Sequence, residues 1–245
     1  LWSECIPMRW PHFPSQCVLC QRWPSQRICS ACKAVLVQPP RCSLCALPHD
    51  AHAACPPPFS QYGVLPWVGV HASLTYQEPL ADLIQRLKFQ GELALIHALV
   101  DCMADCPPPW LQQVQDAVIV PIPASARSLQ ARGFNQSAEL ARQLKSRLRL
   151  NGPIRHALAR ADTSLQQSRL NREQRWSNMT QAFMPAAHAA HTSAQSPPAS
   201  CLLVDDIMTT GATLLTAAQC LKQLGHSLIH VWVLARTPSP HDAPL

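Results

Sequence analysis

Apolar positions change their spacing several times along the chain, and each change predicts an element. Val64 to Leu74 alternates and predicts a strand or hairpin arm. Glu78 to Phe89 sets Leu80, Leu83, Ile84 and Leu87 at helical spacing. Leu93 to Met103 continues as a second helix, stopped by Pro107, Pro108 and Pro109. The apolar run Ala117 to Pro123, closed by prolines, predicts a buried strand. Asn135 to Leu150 reads as a helix with Asn135 as N-cap and Asn151 and Gly152 as its stop. Cys201 to Asp206 is a buried-strand pattern ending in two acids. A Thr/Gly loop follows it, then a helix from Thr213 to Leu224 closed by Gly225, and a last strand from His230 to Ala235. Strands that alternate with helices imply a parallel sheet with helices on its faces.

Three stretches lack such a period. Residues 155–178 are polar and basic and predict a loop, and 186–200 form an Ala/His/Ser/Pro linker. Residues 15–58 are rich in Cys and Pro, bury little core and need a staple. Seven of the 12 cysteines lie there, and Cys17–Cys20, Cys29–Cys32 and Cys42–Cys45 are CxxC pairs. Two intervening residues let both thiolates face one metal ion. Cys17, Cys20, Cys29 and Cys32 suffice for one tetrahedral zinc. Cys42 and Cys45 begin a second site, which Cys55 and His52 complete as HxxC, with His49 as the rival ligand. Which pairs share a metal is left open by the spacing. Sites of four protein ligands are structural, because no position stays open for chemistry.

The chain has 245 residues and 27.0 kDa, room for one α/β domain and a small appendage. No run of about 18 apolar residues exists, so no membrane-spanning helix is expected. Leu1 to Pro14 carries Glu4, Arg9 and three prolines, unlike a signal peptide. Together with the CxxC pairs, that predicts a reducing, cytoplasmic setting. The formal charge of +6 is unevenly placed. Residues 121–178 hold 11 basic and three acidic residues, a net of +8, whereas the other 9 basic and 11 acidic residues come to −2. Such a segment suits phosphate-bearing partners, small or polymeric.

The most informative stretch is Leu202 to Thr213. Ligands of parallel sheets bind beyond the carboxyl ends of the strands, where Asp205 and Asp206 are expected. Adjacent carboxylates are costly there unless hydrogen-bond donors or a cation satisfy them, and sugar hydroxyls are natural donors. Thr209, Thr210, Gly211, Ala212 and Thr213 lead straight into a helix, so their amides and hydroxyls offer an anion cradle. A diol site beside a phosphate cradle describes a ribose 5-phosphate site. Neither GxxxxGK nor GxGxxG occurs, which excludes a P-loop and a dinucleotide-binding fingerprint.

This stretch resembles the motif of type I phosphoribosyltransferases for 5-phosphoribosyl 1-pyrophosphate (PRPP). The resemblance extends to Val120–Pro123, Arg127, the run Arg132 to Gln136, and then Thr163, Gln166, Leu170, Arg172, Arg175, Asn178 and Phe183. With the preceding CxxC pairs, this pattern is similar to the ComF (ComFC-like) family over residues 15–237. The family's usual CxxC is replaced at 52–55. The resemblance implies a type I phosphoribosyltransferase-like parallel sheet with helices on both faces, spanning 60–240, behind a double zinc ribbon at 15–58. It implies structural Zn²⁺, one or two, and Mg²⁺ arriving with PRPP. Asp205 and Asp206 would hold the diol and favour positive charge at the sugar ring, and the Thr209–Thr213 loop would fix the 5-phosphate. Arg127 and Arg132 are candidate pyrophosphate ligands, since guanidinium forks match phosphate oxygens. Arg169, Arg172 and Arg175, joined by Arg160 and Gln166, would belong to a hood over the site. Gln136 is a further hydrogen-bonding candidate. No acceptor motif is legible. The alternative implied by the family is a non-catalytic nucleic-acid-binding accessory protein that handles single-stranded DNA with the uptake machinery of natural transformation.

Overall fold

The computed structural model describes residues 15–36, 40–48, 55, 59–61, 64–160, 182–186 and 199–238. The elements that position the site are α1 (Ser30–Leu36), β1 (Gly69–Thr75), α2 (Leu80–Gln85), α3 (Leu95–Asp105), β2 (Val118–Pro121), α4 (Ala126–Arg132), α5 (Gln136–Leu148), β3 (Leu158–Arg160), β4 (Phe183–Pro185), β5 (Ser200–Met208), α6 (Ala212–Gln223) and β6 (Leu228–Arg236). Four strands form an all-parallel sheet in the order β1-β6-β5-β2, and β3 pairs antiparallel with β4. No helix among the described residues is long and apolar enough to cross a membrane.

The strand period of two sorts the sheet's side chains into two cores. Leu74, Ile119, Leu202, Val204, Trp232 and Leu234 face α2, α3 and α5. Val70, Val118, Val120, Leu203, Val231 and Val233 face α6. This is the expected arrangement, a sheet covered on both faces, and it explains the unbroken apolar runs in β5 and β6. The cysteine-rich unit contributes to both halves. Ile28 and Leu36 join the first core, whereas Cys45, Ala46 and Leu47 join the second. The Val70 amide of edge strand β1 donates to the Ser43 carbonyl at 2.8 Å, so the second knuckle also covers that edge.

The structure adjusts some boundaries. β1 starts at Gly69, and Val64 is exposed. Asn135 caps α5 as expected, its Oδ1 accepting from the Ser137 amide at 3.1 Å. The helix ends earlier than expected, because Arg149 takes the left-handed conformation (φ 55°) and the Leu150 amide closes back on the Lys145 carbonyl. Gly152 serves a different purpose. A Cβ there would lie 1.7 Å from the Ala117 carbonyl oxygen, so only glycine lets this turn pass the start of β2. The expected linker at 186–200 and loop at 155–178 fall mostly outside the described residues.

His230 sits in β6 with 3% of its surface exposed, its ring 4.7 Å from that of Trp110, and neither ring nitrogen has a hydrogen-bond partner among the described residues. Burial lowers its pKa. The fold therefore holds it neutral, while the unfolded chain takes up a proton below about pH 6.5. Stability from this group is present above that pH and is lost as the pH falls. His230→Phe is expected to lose less melting temperature than the parent between pH 7 and pH 5, by about 2–4 °C, the shift that 1 kcal/mol produces in a chain of this size. Parallel melting curves of the two proteins would refute the assignment.

Candidate functional site

β2 ends at Pro121, opposite Val204, while β5 runs on to Met208 beside β6. Asp205 and Asp206 thus emerge where the sheet steps back, at the carboxyl end of the strands. Asp205 is 7% exposed. Its Oδ1 accepts from Ser137 Oγ at 2.8 Å and from the Asp206 amide at 2.9 Å. Burial, reinforced by the charge of Asp206, pushes its pKa up to about 7. Asp206 differs: its Oδ1 accepts from the Ile207 amide at 2.7 Å, and its Oδ2 lies 2.6 Å from Lys88 Nζ. Asp205 is therefore poised near neutrality, and its neighbour lies in an ion pair with Lys88.

These groups line a polar cleft of about 190 Å³. Its other walls include Ser125, Arg132, Gln136, Arg160 and Thr213. Ser125 caps α4, accepting the Ser128 amide at 3.1 Å, and Gly133 (φ 77°) ends that helix, so the turn delivers Arg132 to the cleft. Arg132 also lies over the Phe89 ring at 5.7 Å. Gln136 is 3% exposed, and its Nε2 has no hydrogen-bond partner among the described residues. Arg127 stands exposed on α4 and is not among the lining residues. Arg169, Arg172, Arg175 and Gln166 lie outside the described residues.

The Thr209–Thr213 turn follows directly. Gly211 adopts φ 80°, and a Cβ there would lie 2.5 Å from Phe59 Cζ and 2.9 Å from Met208 Cε. Both the backbone angle and the aromatic wall require glycine. The Ala212 amide donates to Thr210 Oγ1 at 3.4 Å. Among the described residues, no backbone carbonyl takes the amides of Thr209, Thr210, Gly211, Thr213 or Leu214. The turn's carbonyls are fixed from below by Arg236, whose Nη1 donates to the carbonyls of Thr209 and Met208, the latter at 3.1 Å, and whose Nε donates to the Cys45 carbonyl at 3.1 Å. Arg236 is 5% exposed. Sequence reasoning missed Lys88, Ser137 and Arg236, each of which acts through a contact distant in sequence.

The cysteines form two clusters. Cys17, Cys20, Cys29 and Cys32 place their sulfurs within 4.8 Å of one another, and Cys20 Sγ lies 3.6 Å from Cys29 Sγ. Zn–S bonds of about 2.3 Å at tetrahedral angles require sulfurs about 3.8 Å apart, so this set fits zinc. Burial pushes the Cys17 thiol up, but the amides of Cys20, Cys29 and Leu19 outweigh it and bring the pKa down to about 6. Cys42, Cys45 and Cys55 form the second cluster, with Cys42 Sγ 3.5 Å from Cys55 Sγ. These three thiols also suit zinc, and the proposed fourth ligand, His52 or its rival His49, lies outside the described residues.

A family model described as phosphoribosyl transferase domain matches residues 127–244. Over 165 residues the chain is 32% identical to competence protein F of Haemophilus influenzae, covering 66% of this chain and 69% of that protein. It is 28% identical to competence protein ComFC of Bacillus subtilis over 216 residues, 82% of this chain and 80% of the relative. It is 29% identical to the DNA utilization protein YhgH of Salmonella typhimurium over 244 residues, 91% of this chain and 98% of the relative.

Proposed function

Because this chain belongs to the competence protein F (ComFC-like) family and carries a phosphoribosyl transferase domain, we propose that its cleft binds PRPP. The observation that carries the reading is the adjacency of the Asp205–Asp206 pair to a turn at a helix N-terminus in which, among the described residues, the amides of Thr209, Thr210, Gly211 and Thr213 meet no backbone carbonyl. The diol would donate to the two acids and the 5-phosphate would take the amides and hydroxyls of Thr209–Thr213. Arg132 and, beyond the lining residues, Arg127 would neutralise phosphate charge, with Arg172 and Arg175 closing from the hood. In a transfer reaction an acceptor nucleophile would displace pyrophosphate from C1 of the sugar, with Asp205 and Asp206 stabilising positive charge at the ring. Asp206 is engaged by Lys88 and Asp205 is buried, so this donor set suits a Mg²⁺ carried in on ligand oxygens rather than a resident ion. When bound, that ion would offset the charge of the departing pyrophosphate.

The reading places residues 15–58 as a double zinc ribbon supporting a domain over 60–240, in the cytoplasm. A role in DNA handling is favoured by the relatives' names and by the basic segment at 121–178. Single-stranded DNA and the uptake machinery are the proposed partners. Calorimetric titration with PRPP, with and without Mg²⁺, tests the cleft. Saturable binding at a single site, strengthened by Mg²⁺, is expected. A protein that is folded and zinc-loaded yet gives no heat and no thermal shift with PRPP would end this reading.

A further inference from the structure

After α2 the chain does not continue as an α-helix but widens into a π-helical turn, Arg86–Gln90, which ends at Gly91 in the left-handed conformation (φ 70°). Such turns are rare and are frequently found at functional sites. This one is clamped. Arg86 makes a fork to Glu92, Nε to Oε1 at 3.0 Å and Nη2 to Oε2 at 2.8 Å, and also reaches Asp82 at 3.5 Å. The widened turn buries Leu87 in the core, leaves Phe89 76% exposed beneath Arg132, and sends Lys88 into the cleft. Lys88 Nζ forms an ion pair with Asp206 Oδ2 at 2.6 Å, and the ammonium has no other partner among the described residues.

We propose that Lys88 is a pyrophosphate ligand of this cleft, stored on Asp206 until the phosphorylated sugar arrives. The inference rests on the reading of the cleft as a PRPP site. Its chemistry follows from the ligand's connectivity. A sugar diol held by Asp205 and Asp206 places the substituent on C1 next to the 2-hydroxyl, within a side-chain rotation of an ammonium already bound to Asp206. The 5-phosphate leaves the far side of the ring and belongs to the Thr209–Thr213 turn. Hydroxyl donors from the diol replace the ammonium's ion pair with Asp206, and the freed ammonium meets the anionic oxygens on C1.

The test compares two ligands that differ only at C1, PRPP and ribose 5-phosphate, on the full-length protein and on Lys88→Met and Lys88→Gln. Melting curves and circular dichroism establish that at least one variant is folded. The substitution is expected to weaken PRPP by about 30-fold or more, the scale of a charge-assisted phosphate contact, and ribose 5-phosphate by less than about 3-fold. Equal weakening of both ligands would overturn the proposal, because Lys88 would then act only through Asp206 or the fold. Unchanged affinity for both would overturn it too. Failure of the parent protein to bind either ligand is a different result, which removes the cleft reading and this proposal with it.

Discussion

Asp205→Asn is expected to weaken PRPP binding by on the order of 10²-fold while making the ligand-free protein more stable above pH 7. The two effects share one cause. Asp205 is buried beside a second carboxylate, and its pKa is raised to about 7. In the unfolded chain it titrates near 3.9. A group whose folded pKa lies above its unfolded value contributes stability that is full below the unfolded pKa and is lost as the pH rises through the folded one. The rise from near 3.9 to about 7 sets an upper bound of about 4 kcal/mol on what ionised Asp205 costs the fold at pH 8. Asparagine keeps an oxygen for Ser137 Oγ and the Asp206 amide but carries no charge, so the local contacts survive. The diol loses a charged acceptor, and the amide presents a donor where the ligand also donates. Asp206→Asn is expected to lose binding as well but to lower stability, because it leaves the partly buried Lys88 ammonium without its carboxylate. Each single variant should weaken PRPP by on the order of 10²-fold, and the double variant beyond detection. Calorimetry and melting at pH 6 and pH 8 check both halves. Full affinity in Asp205→Asn, or identical melting of parent and variant at pH 8, would contradict the assignment.

What the sequence disclosed here follows the range of the interactions. The CxxC pairs were legible because ligand spacing along the chain fixes ligand spacing in space. The strands β5 and β6 were legible because burial on two faces writes itself as an unbroken apolar run. Helix α4 was not, for the opposite reason: none of its residues is buried, so it has no apolar stripe and is defined by its caps at Ser125 and Gly133. Lys88 stood within the helical pattern of Leu80, Leu83, Ile84 and Leu87 with nothing in the sequence to mark it. Its meaning depends on a π-helical turn that no periodicity reports and on a carboxylate from β5. Arg236 lies one residue past the expected last strand, with nothing in the sequence to mark it. Its burial beneath the Thr209 turn comes from the parallel pairing of β5 with β6, which sets Met208 opposite Arg236. The acidic pair and its turn were therefore readable as a motif, whereas the cations that poise and support them required the fold.

Disruption of the two cysteine clusters is expected to have separable consequences, because the clusters are tied to different parts of the molecule. The first is built around α1, which supplies Cys32, with Cys29 just before it. It is joined to α3 by Lys33–Asp105 at 2.6 Å and Arg27–Asp101 at 3.4 Å, and to the core through Ile28 and Leu36. Those exposed ion pairs contribute little by themselves. Four thiols without a metal cannot hold so short a unit against its chain entropy, whereas zinc supplies on the order of 10 kcal/mol to small ribbons. Cys29→Ser should therefore lose one zinc, expose the α3 face and lower the melting temperature by on the order of 10 °C, with PRPP affinity retained at temperatures where the protein is folded. The second cluster is linked to the Thr209–Thr213 turn itself. The Cys45 carbonyl, the Met208 carbonyl and the Thr209 carbonyl share the single guanidinium of Arg236, and Phe59 presses on Gly211. Cys45→Ser should release that side of the clamp, so PRPP affinity falls about tenfold even where the protein remains folded, as expected when two or three buried hydrogen bonds weaken. Metal content by mass spectrometry, melting and PRPP titration on the two variants decide the matter. Equal loss of affinity in both, or none in Cys45→Ser despite a lost zinc, would show that Arg236 does not transmit the state of the knuckle to the turn.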